Sequence, residues 1–266
     1  MTLIDKLLEH INYLKTKNRK LISNVFLPQD ELNAFLHSKN TNVIFDENII
    51  MILKEEEALI RFYFYATTNE ALKRIREYIR IGKPTKPLVT DIIGREFDID
   101  KTKIMLNGMG FSLHRKLIRM TMRNTKRYPC ENSNIVYASL RDASYIKDVL
   151  YSEFDVLVSH LPSMDDIYKS IDNHEISLAK QGSDIAGLSY FKDVGKRQKY
   201  LYQIVVLEMY RGQGIADDLL VNSFNSSKED VQYQLWAVDE YFRAIKKYKK
   251  YNFKEDGLVD YIMVYK

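Results

Sequence analysis

The sequence lacks the features that hold secreted and membrane proteins together. A single cysteine, Cys130, is present among 266 residues, so no disulfide can form within the chain. No apolar run reaches the ~18 residues that a membrane-spanning helix requires. The first residues, 1–6, are typical of an amphipathic helix rather than a secretion signal. These absences predict a cytoplasmic protein that does not associate with a membrane.

Several catalytic motifs are also missing. The phosphate-binding string Gly-x-x-x-x-Gly-Lys-Ser/Thr does not occur, and the glycines do not follow the Gly-x-Gly-x-x-Gly spacing of dinucleotide-binding proteins. Cys130 has no neighbouring histidine, which favours a free thiol over a nucleophile. The histidines have no cysteine or acidic partners at ligand spacing, so we predict no metal site. These scattered histidines are His10, His37, His114, His160 and His174.

Length and charge predict two domains. The chain is longer than most single domains, and its hydrophobic content of 45% can supply substantial cores. Residues 1–132 carry a net charge of +7 and residues 133–266 a net charge of −3. Between them, residues 127–134 contain a proline and several turn-forming residues. We therefore predict one domain over residues 1–130 and another over residues 131–266.

An internal repeat supports this division. A shift of 142 residues places the strand-like residues 58–65 on residues 200–207, and residues 88–94 on residues 230–236. The same shift places Phe111 on Phe253. Three landmarks in one register indicate two copies of one fold. The alternative is an unrelated α+β domain in the first half that shares a strand-helix-strand rhythm.

The most informative segment lies between a strand at residues 200–207 and a helix at residues 215–224. Gly212 and Gly214 lack Cβ atoms, so backbone N–H groups can crowd around an anion at the helix N-terminus. Arg211 adds a full positive charge. The pattern predicts a diphosphate site, and the alternative is an ordinary glycine-containing turn. The predicted contact residues are Val206, Leu207, Arg211, Gly212, Gln213, Gly214, Ile215 and Ala216.

This segment resembles the coenzyme A signature of the GCN5-related N-acetyltransferases. Its residues 211–216 read Arg-Gly-x-Gly-x-Ala, and Val206 stands five positions before the arginine, as in that family. Downstream, Ala244, Tyr248 and Phe253 match a second family motif in spacing. Tyr241 replaces the usual asparagine of that motif, and Asn252 replaces a glycine.

The resemblance implies a fold and an activity. The fold is α+β (mixed α/β), with two tandem acetyltransferase-like units, each a twisted and mostly antiparallel sheet flanked by helices. The activity is transfer of an acetyl or other acyl group from acetyl-coenzyme A to the amine of a small molecule or peptide, by direct attack. In the first half, Asn69 and Leu72 stand where Arg211 and Gly214 stand in the second, and Leu106 stands for Tyr248, so the first half is expected to be degenerate.

The resemblance also suggests catalytic roles. Tyr248 would protonate the departing thiolate, and an amide near Val206 or Leu207 would polarise the thioester carbonyl. The candidates for the base are Glu208, Asp239 and Glu240, which lie at the ends of the elements expected to frame the site; the alternative for each is an ordinary solvated carboxylate.

A second functional class stays open. Basic residues between 73 and 86 could bind an anionic partner, which would make the chain a non-catalytic acyl-coenzyme A-binding, nucleic-acid-binding or partner-binding module. We expect nucleic acid to be the less favoured ligand, and the sequence leaves a homodimer open.

Overall fold

The computed structural model describes residues 1–25, 29–38, 40–129, 134–195, 197–227 and 230–266. Helices flank a mostly antiparallel sheet, which confirms the predicted mixed α/β class. The chain forms two compact units: unit 1 contains Met1–Leu117 and Gly257–Lys266, and unit 2 contains Ile118–Asp256.

The units do not divide where the sequence suggested. The predicted boundary near residue 130 lies partly outside the described residues, Cys130 included. Unit 1 ends at Leu117 and takes in the last ten residues of the chain. The reason is hydrogen bonding, because the closing strand pairs along its length with a strand of unit 1, from Leu258 opposite Arg95 to Tyr265 opposite Leu88.

Unit 1 begins with helices that precede its main strands. Its helices are α1 (Leu3–Lys17), α2 (Gln29–Leu36), α3 (Arg74–Gly82) and α4 (Glu96–Gly108). Its strands are β1 (Ile22–Ser23), β2 (Thr41–Phe45), β3 (Ile49–Glu55), β4 (Ile60–Ala66), β5 (Leu88–Arg95) and the start of β6 (Ser112–Asn124).

The sheet of unit 1 combines an antiparallel meander with one short parallel contact. Strands β2, β3 and β4 pair antiparallel in succession. Strand β4 pairs parallel with β5 only at Ile60 and Arg61. Helices α1 and α2 cover one face, where Leu7 and Leu14 pack with Ile50 and Ile52. Strand β3 is buried on both faces over residues 49–52, which explains why apolar residues occupy each of these positions.

The main helices and strands of unit 2 include the strand and the helix predicted on either side of the glycine-containing turn. They are β7 (Ile135–Tyr137), α5 (Ala143–Glu153), α6 (Met164–Asp172), β8 (Ile176–Gln181), β9 (Asp184–Asp193), β10 (Gln198–Val206), α7 (Ile215–Ser226), β11 (Val231–Val238), α8 (Phe242–Lys250) and the start of β12 (Lys254–Tyr265).

The sheet of unit 2 has a helical layer on each face. Strands β7, β8, β9 and β10 pair antiparallel, and β10 pairs parallel with β11. On one face Ile146 of α5 and Ile167 of α6 pack with Leu178 and Leu188. On the other face, Leu220 and Phe224 of α7 pack with the inward residues of β11 and α8.

The helix ends that the repeat superposes have the same backbone geometry. After α4, Gly110 has a φ of +100°, and after α8, Asn252 has a φ of +64°. The N–H of Phe111 donates to the carbonyl of Leu106 at 3.1 Å, and the N–H of Phe253 donates to that of Tyr248 at 3.2 Å. Asparagine tolerates the left-handed conformation better than most residues, so it can replace glycine there.

Candidate functional site

The predicted site lies where two parallel strands of unit 2 separate. Strands β10 and β11 are paired from Gln198 opposite Gln232 to Leu201 opposite Leu235. Both strands continue past this ladder, β10 to Val206 and β11 to Val238. In the part of unit 2 that the structure describes, no other strand pairs with this edge of β10. The separation leaves a gap bordered by backbone groups.

Alternation along β10 shows which backbone groups face the gap. The N–H of Leu207 donates to the carbonyl of Ala186 at 2.9 Å, so this pair belongs to the ladder with β9. In an antiparallel ladder the next residue directs its backbone groups to the opposite side. The N–H of Val206, which stands opposite Gly187, therefore faces the gap. The prediction of Leu207 as an oxyanion donor is wrong because its N–H is already bonded, and Val206 is left as the candidate.

The turn after β10 has the conformation that the glycine pattern predicted. A 3₁₀ turn at Glu208–Tyr210 leads to Gly212 and Gly214, whose φ angles are +84° and +83°. Side chains rarely adopt this conformation, which explains the glycines. A Cβ added at either position would meet no atom within 4 Å, so the space above the turn is open. Helix α7 begins immediately afterwards at Ile215.

The turn exposes backbone donors toward that open space. The carbonyl of Gly214 accepts from the N–H groups of Asp217 and Asp218 at 2.8 and 3.1 Å. Among the described residues, no protein acceptor bonds the N–H groups of Gly212, Gln213, Gly214, Ile215 and Ala216. Ile215 anchors the turn, since its side chain is buried with Leu219. Free N–H groups at a helix N-terminus form an anion site.

Arg211 lies at this turn, but its guanidinium has two protein partners. Its Nε donates to the carbonyl of Val206 at 3.1 Å, and a terminal nitrogen donates to Glu153 at 3.1 Å. The side chain is 56% exposed, so it also reaches solvent. The arginine therefore ties the end of β10 to the end of α5. No local pattern pointed to Glu153, because this contact joins residues that are far apart in the chain.

The hairpin between β8 and β9 supports the turn from the side. The side chain of Gln181 donates to that of Gln213 at 2.6 Å, and the hydroxyl of Tyr210 donates to Asp184 at 3.2 Å. Neither contact was predicted, because each joins residues that lie far apart in the chain. Both contacts restrain the orientation of the turn.

The first turn of α7 carries two acidic residues, Asp217 and Asp218, and such residues repel an anion unless cations offset them. Asp217 binds Lys247, Lys250 at 2.8 Å and the hydroxyl of Tyr251 at 2.6 Å. Desolvation opposes ionisation of Asp217, but hydrogen bonds from these three residues outweigh it and lower its pKa to about 2. Lys247 and Lys250 therefore offset the negative charge of Asp217 beside the turn, and Asp218 is the second carboxylate there.

Tyr248 lies on the inner face of α8. Its side chain is 9% exposed and packs in the core, with its ring centroid 5.8 Å from that of Phe253. Desolvation raises the pKa of Tyr248 to about 12, which keeps the hydroxyl protonated at neutral pH. This packing role is visible, and the predicted role as proton donor stays a prediction.

The predicted base candidates are exposed. Glu208 follows β10 and Glu240 follows β11, so both lie beyond the ends of the strands that border the gap. Neither has a resolved side-chain hydrogen bond or ion pair within the described part of the chain. The assignment of a base stays a prediction.

Other kinds of site find little support in the described residues. They contain no group of three His, Cys, Asp or Glu side chains placed to hold a metal ion. A search of the same residues finds no helix with the length and hydropathy needed to cross a membrane. An open cavity of about 580 Å³ lies in unit 1, and none of the predicted site residues lines it.

Comparison with solved structures identifies the fold. A GCN5-related N-acetyltransferase from Sphaerobacter thermophilus is 11% identical, with a TM-score of 0.62 over 97% of this chain and 90% of that chain. A tandem GNAT protein from the clavulanic acid biosynthesis pathway is 10% identical, with a TM-score of 0.62 over 98% and 93%. A GNAT-family acetyltransferase from Colwellia psychrerythraea is 10% identical, with a TM-score of 0.56 over 100% and 98%.

The chain therefore has the fold of the GCN5-related N-acetyltransferases, as the motif resemblance predicted. No protein-family model and no curated protein matches the sequence. The likeness is one of structure at low sequence identity.

Proposed function

We propose that unit 2 transfers an acetyl or other acyl group from acetyl-coenzyme A to an amine. The observation that carries the proposal is the pair of open backbone donor sets in unit 2: the free N–H groups of the turn at residues 212–216, and the gap beyond Leu201. A diphosphate fits the first set, and an extended arm that pairs like a strand fits the second.

The turn at residues 212–216 would hold the donor by its charge. Bare amides at the start of α7 and the lysines beside Asp217 both favour an anion. The open space at Gly212 and Gly214 allows phosphate oxygens to reach the backbone. Arg211 and Gln213 would act mainly by fixing the turn, since their side chains already bind protein groups.

The gap would orient the reacting group. The N–H of Val206 faces the gap and can donate to the thioester carbonyl as negative charge develops on its oxygen. The amine attacks that carbonyl carbon, the carbon–sulfur bond breaks, and the thiolate accepts one proton. Tyr248 is our candidate for this proton because its hydroxyl is protonated at neutral pH. An acceptor that arrives as an ammonium first loses one proton to solvent, directly or through Glu208 or Glu240, so that the neutral amine can attack. After the carbon–sulfur bond breaks, the nitrogen loses a second proton, which replaces the one that Tyr248 gives to the thiolate.

The degenerate first half is part of this proposal. Unit 1 would bind no acyl donor, so one donor site per chain is expected in a tandem arrangement. Of the basic residues that kept nucleic acid binding open, Arg74 pairs with Asp46 at 3.0 Å and Lys86 pairs with Glu55 at 2.8 Å. These ion pairs reduce the positive charge available to a polyanion.

The test is donor binding followed by transfer. Acetyl-coenzyme A at 100 times its dissociation constant should raise the free energy of unfolding by about 2.7 kcal/mol. Tyr248→Phe should keep this stabilisation and slow the transfer of acetyl groups to a panel of amines. If no acyl-coenzyme A stabilises the protein, the enzymatic proposal is wrong. If donor binds and no amine is acetylated, the chain is a non-catalytic acyl-coenzyme A-binding module.

A further inference from the structure

A cluster of tyrosines lies on unit 2 directly beside the start of the gap. The rings of Tyr190 and Tyr202 stack with centroids 5.2 Å apart, and the rings of Tyr200 and Tyr202 meet at 56° with centroids 4.5 Å apart. Tyr202 immediately follows Leu201, the last residue of β10 that pairs with β11. The cluster therefore adjoins the start of the gap.

A β-bulge places these side chains on one face. The register between β10 and β9 shifts between Leu201 and Gln203, so Tyr202 is the extra residue of a bulge. At such a bulge the two residues that oppose one partner turn to the same side of the sheet. Tyr202 and Gln203 thus share the face of Tyr190, which is the face that carries α6.

Gln203 supplies a second and independent observation. Its side chain is 4% exposed, and its Oε1 accepts no hydrogen bond from any described residue. A buried carbonyl without a donor is costly, and native proteins keep few of them. It stands opposite Tyr190 and next to Tyr202, so a ligand N–H at the tyrosine cluster would satisfy it.

Charged groups of both signs lie near the cluster: Lys192 stands opposite Tyr200, and the carboxylates of Glu175 and Asp166 act on Tyr190. The hydroxyl of Tyr190 hydrogen-bonds with Ser170 of α6 at 2.8 Å. Burial raises the pKa of Tyr190 to about 12, and the charges of Glu175 and Asp166 add to the rise. The same charges attract an ammonium, and ring faces attract it through their quadrupoles. Asp166 is fixed, because its carboxylate caps α6 through Ser163.

The equivalent position in unit 1 holds a cation of the protein itself. The 142-residue shift places Arg61 on Gln203, and Arg61 is 1% exposed. Its guanidinium lies 3.3 Å from Glu56 and 3.9 Å from Asp91. Unit 1 therefore fills this part of its sheet with its own positive charge, whereas unit 2 has a neutral amide there.

We infer that Tyr190, Tyr200, Tyr202 and Gln203 form the acceptor subsite of unit 2 and that it takes a primary alkylammonium. The ring corner binds the cation and its alkyl chain, and the Gln203 carbonyl accepts one N–H. Bound there, the nitrogen lies next to the start of the gap. This inference rests on the proposed function for the reaction, but the binding site itself does not require the donor.

The first experiment measures binding of n-butylammonium chloride to the full chain without acetyl-coenzyme A, by ligand-observed NMR. We expect saturable binding, and binding of pentan-1-ol about tenfold weaker, since the alcohol has no charge for the rings. Equal binding of the two probes, or no saturable binding of the ammonium, would overturn the inference. Neither result depends on whether the donor binds. Failure of the proposed function is seen in a separate measurement, as the absence of thermal stabilisation by acetyl-coenzyme A.

Variants then locate the site. Tyr202→Leu and Gln203→Leu should each weaken n-butylammonium binding about tenfold and raise the KM for an alkylamine acceptor, with donor affinity unchanged. Tyr202→Phe keeps the ring and should bind within about threefold of the parent protein. The matched control is Tyr137→Leu, another exposed strand tyrosine in a ring contact, with His174. The assignment is contradicted if Tyr202→Leu and Gln203→Leu both bind n-butylammonium as the parent protein does. It is also contradicted if Tyr137→Leu loses as much affinity as they do.

Discussion

The two strand-to-helix turns of the chain differ in how they satisfy their own backbone. In unit 1, β4 passes through a 3₁₀ turn into α3, where the N–H of Ala71 donates to Thr68 and that of Leu72 donates to the carbonyl of Asn69, both at 3.2 Å. The side chain of Leu72 is fully buried. In unit 2 the corresponding N–H groups are bare. An anion site thus depends on leaving donors without internal partners.

The gaps beside the two turns differ in the same way. In unit 1 the N–H of Phe64 donates to the side chain of Asn24 at 2.7 Å, and the amide nitrogen of Asn24 donates to the carbonyl of Phe62 at 3.0 Å and to Thr90 at 2.9 Å. Strand β1 continues this pairing along β4. The 142-residue shift places Phe64 on Val206, whose N–H faces an open gap. Unit 1 fills with its own chain the space that unit 2 leaves open for a ligand.

The largest expected effect comes from closing the open turn of unit 2. Gly214→Ala forces a side chain into a left-handed conformation and places a methyl group over the bare amides. We expect the dissociation constant of acetyl-coenzyme A to rise about 100-fold, which corresponds to about 2.7 kcal/mol, measured by calorimetry.

Gly195→Ala is the matched control for this prediction. Gly195 has a φ of +69° and equally open space, but it lies in the β9–β10 connection. Gly195→Ala imposes the same backbone strain as Gly214→Ala and should leave the affinity for acetyl-coenzyme A unchanged. If both variants bind the donor like the parent protein, the turn is not the anion site.

The next effect comes from opening the filled gap of unit 1. Asn24→Leu removes the partners of Phe62 and Phe64 and leaves buried backbone groups unsatisfied, which should lower the free energy of unfolding by about 2 kcal/mol. Chemical denaturation measures the loss, with the exposed Asn107→Ala as control. Donor stoichiometry should stay at one per chain, because the turn of unit 1 still satisfies its own amides. A second donor site in the variant would show that Asn24 alone blocks unit 1.

Much of unit 2 could be predicted because its chemistry is local in sequence. The glycines of the turn, the strand before it and the helix after it are adjacent in sequence, so the residue pattern predicts the strand–turn–helix arrangement. The Asn252 helix end is a local feature of the same kind, because the asparagine stands where the second motif has a glycine.

The parts that could not be predicted depend on distant pairing. Asn24 bonds to residues of β4 and β5 that lie about 40 and 66 positions further along the chain, and the residues around Asn24 do not indicate these partners. Glu153 and Gln181 reach the turn in the same way. The pairing of β12 with β5 places the end of the chain in unit 1, so the unit boundary differs from the predicted one. The β10 bulge places Tyr202 on the same face of the sheet as Gln203. Such contacts follow from the tertiary fold rather than from spacing.

A third difference between the units is the charge buried in unit 1. Asp260 is 6% exposed, and burial together with the charge of Asp91 raises its pKa well above the ordinary value of 3.8. The unfolded chain ionises first, so this residue's contribution is intact below pH 3.8 and is lost as the pH rises toward the folded-state pKa. Asp260→Asn cannot ionise and should flatten the fall in stability with rising pH.

The size of this effect is about 1.4 kcal/mol for each unit by which the pKa is raised. Denaturation of the parent and the Asp260→Asn protein at several pH values measures it. The control is Asp193→Asn in unit 2, whose side chain is 65% exposed and should change the pH profile little. An unchanged profile in Asp260→Asn would mean that the buried charge of unit 1 does not set its pH dependence.

The smallest expected effect concerns how the open turn is held. Because Arg211 binds Glu153 and the Val206 carbonyl, we expect it to position the turn more than it contacts phosphate. Glu153→Gln removes the negative charge that pairs with the Arg211 guanidinium. The guanidinium can then contact an anion more easily, so donor binding should strengthen about twofold to threefold. Arg211→Gln should weaken it by less than about tenfold, a cost comparable to losing one exposed charge pair. A loss as large as that of Gly214→Ala would instead mean that the arginine, rather than the bare amides, is the main feature distinguishing unit 2 from unit 1.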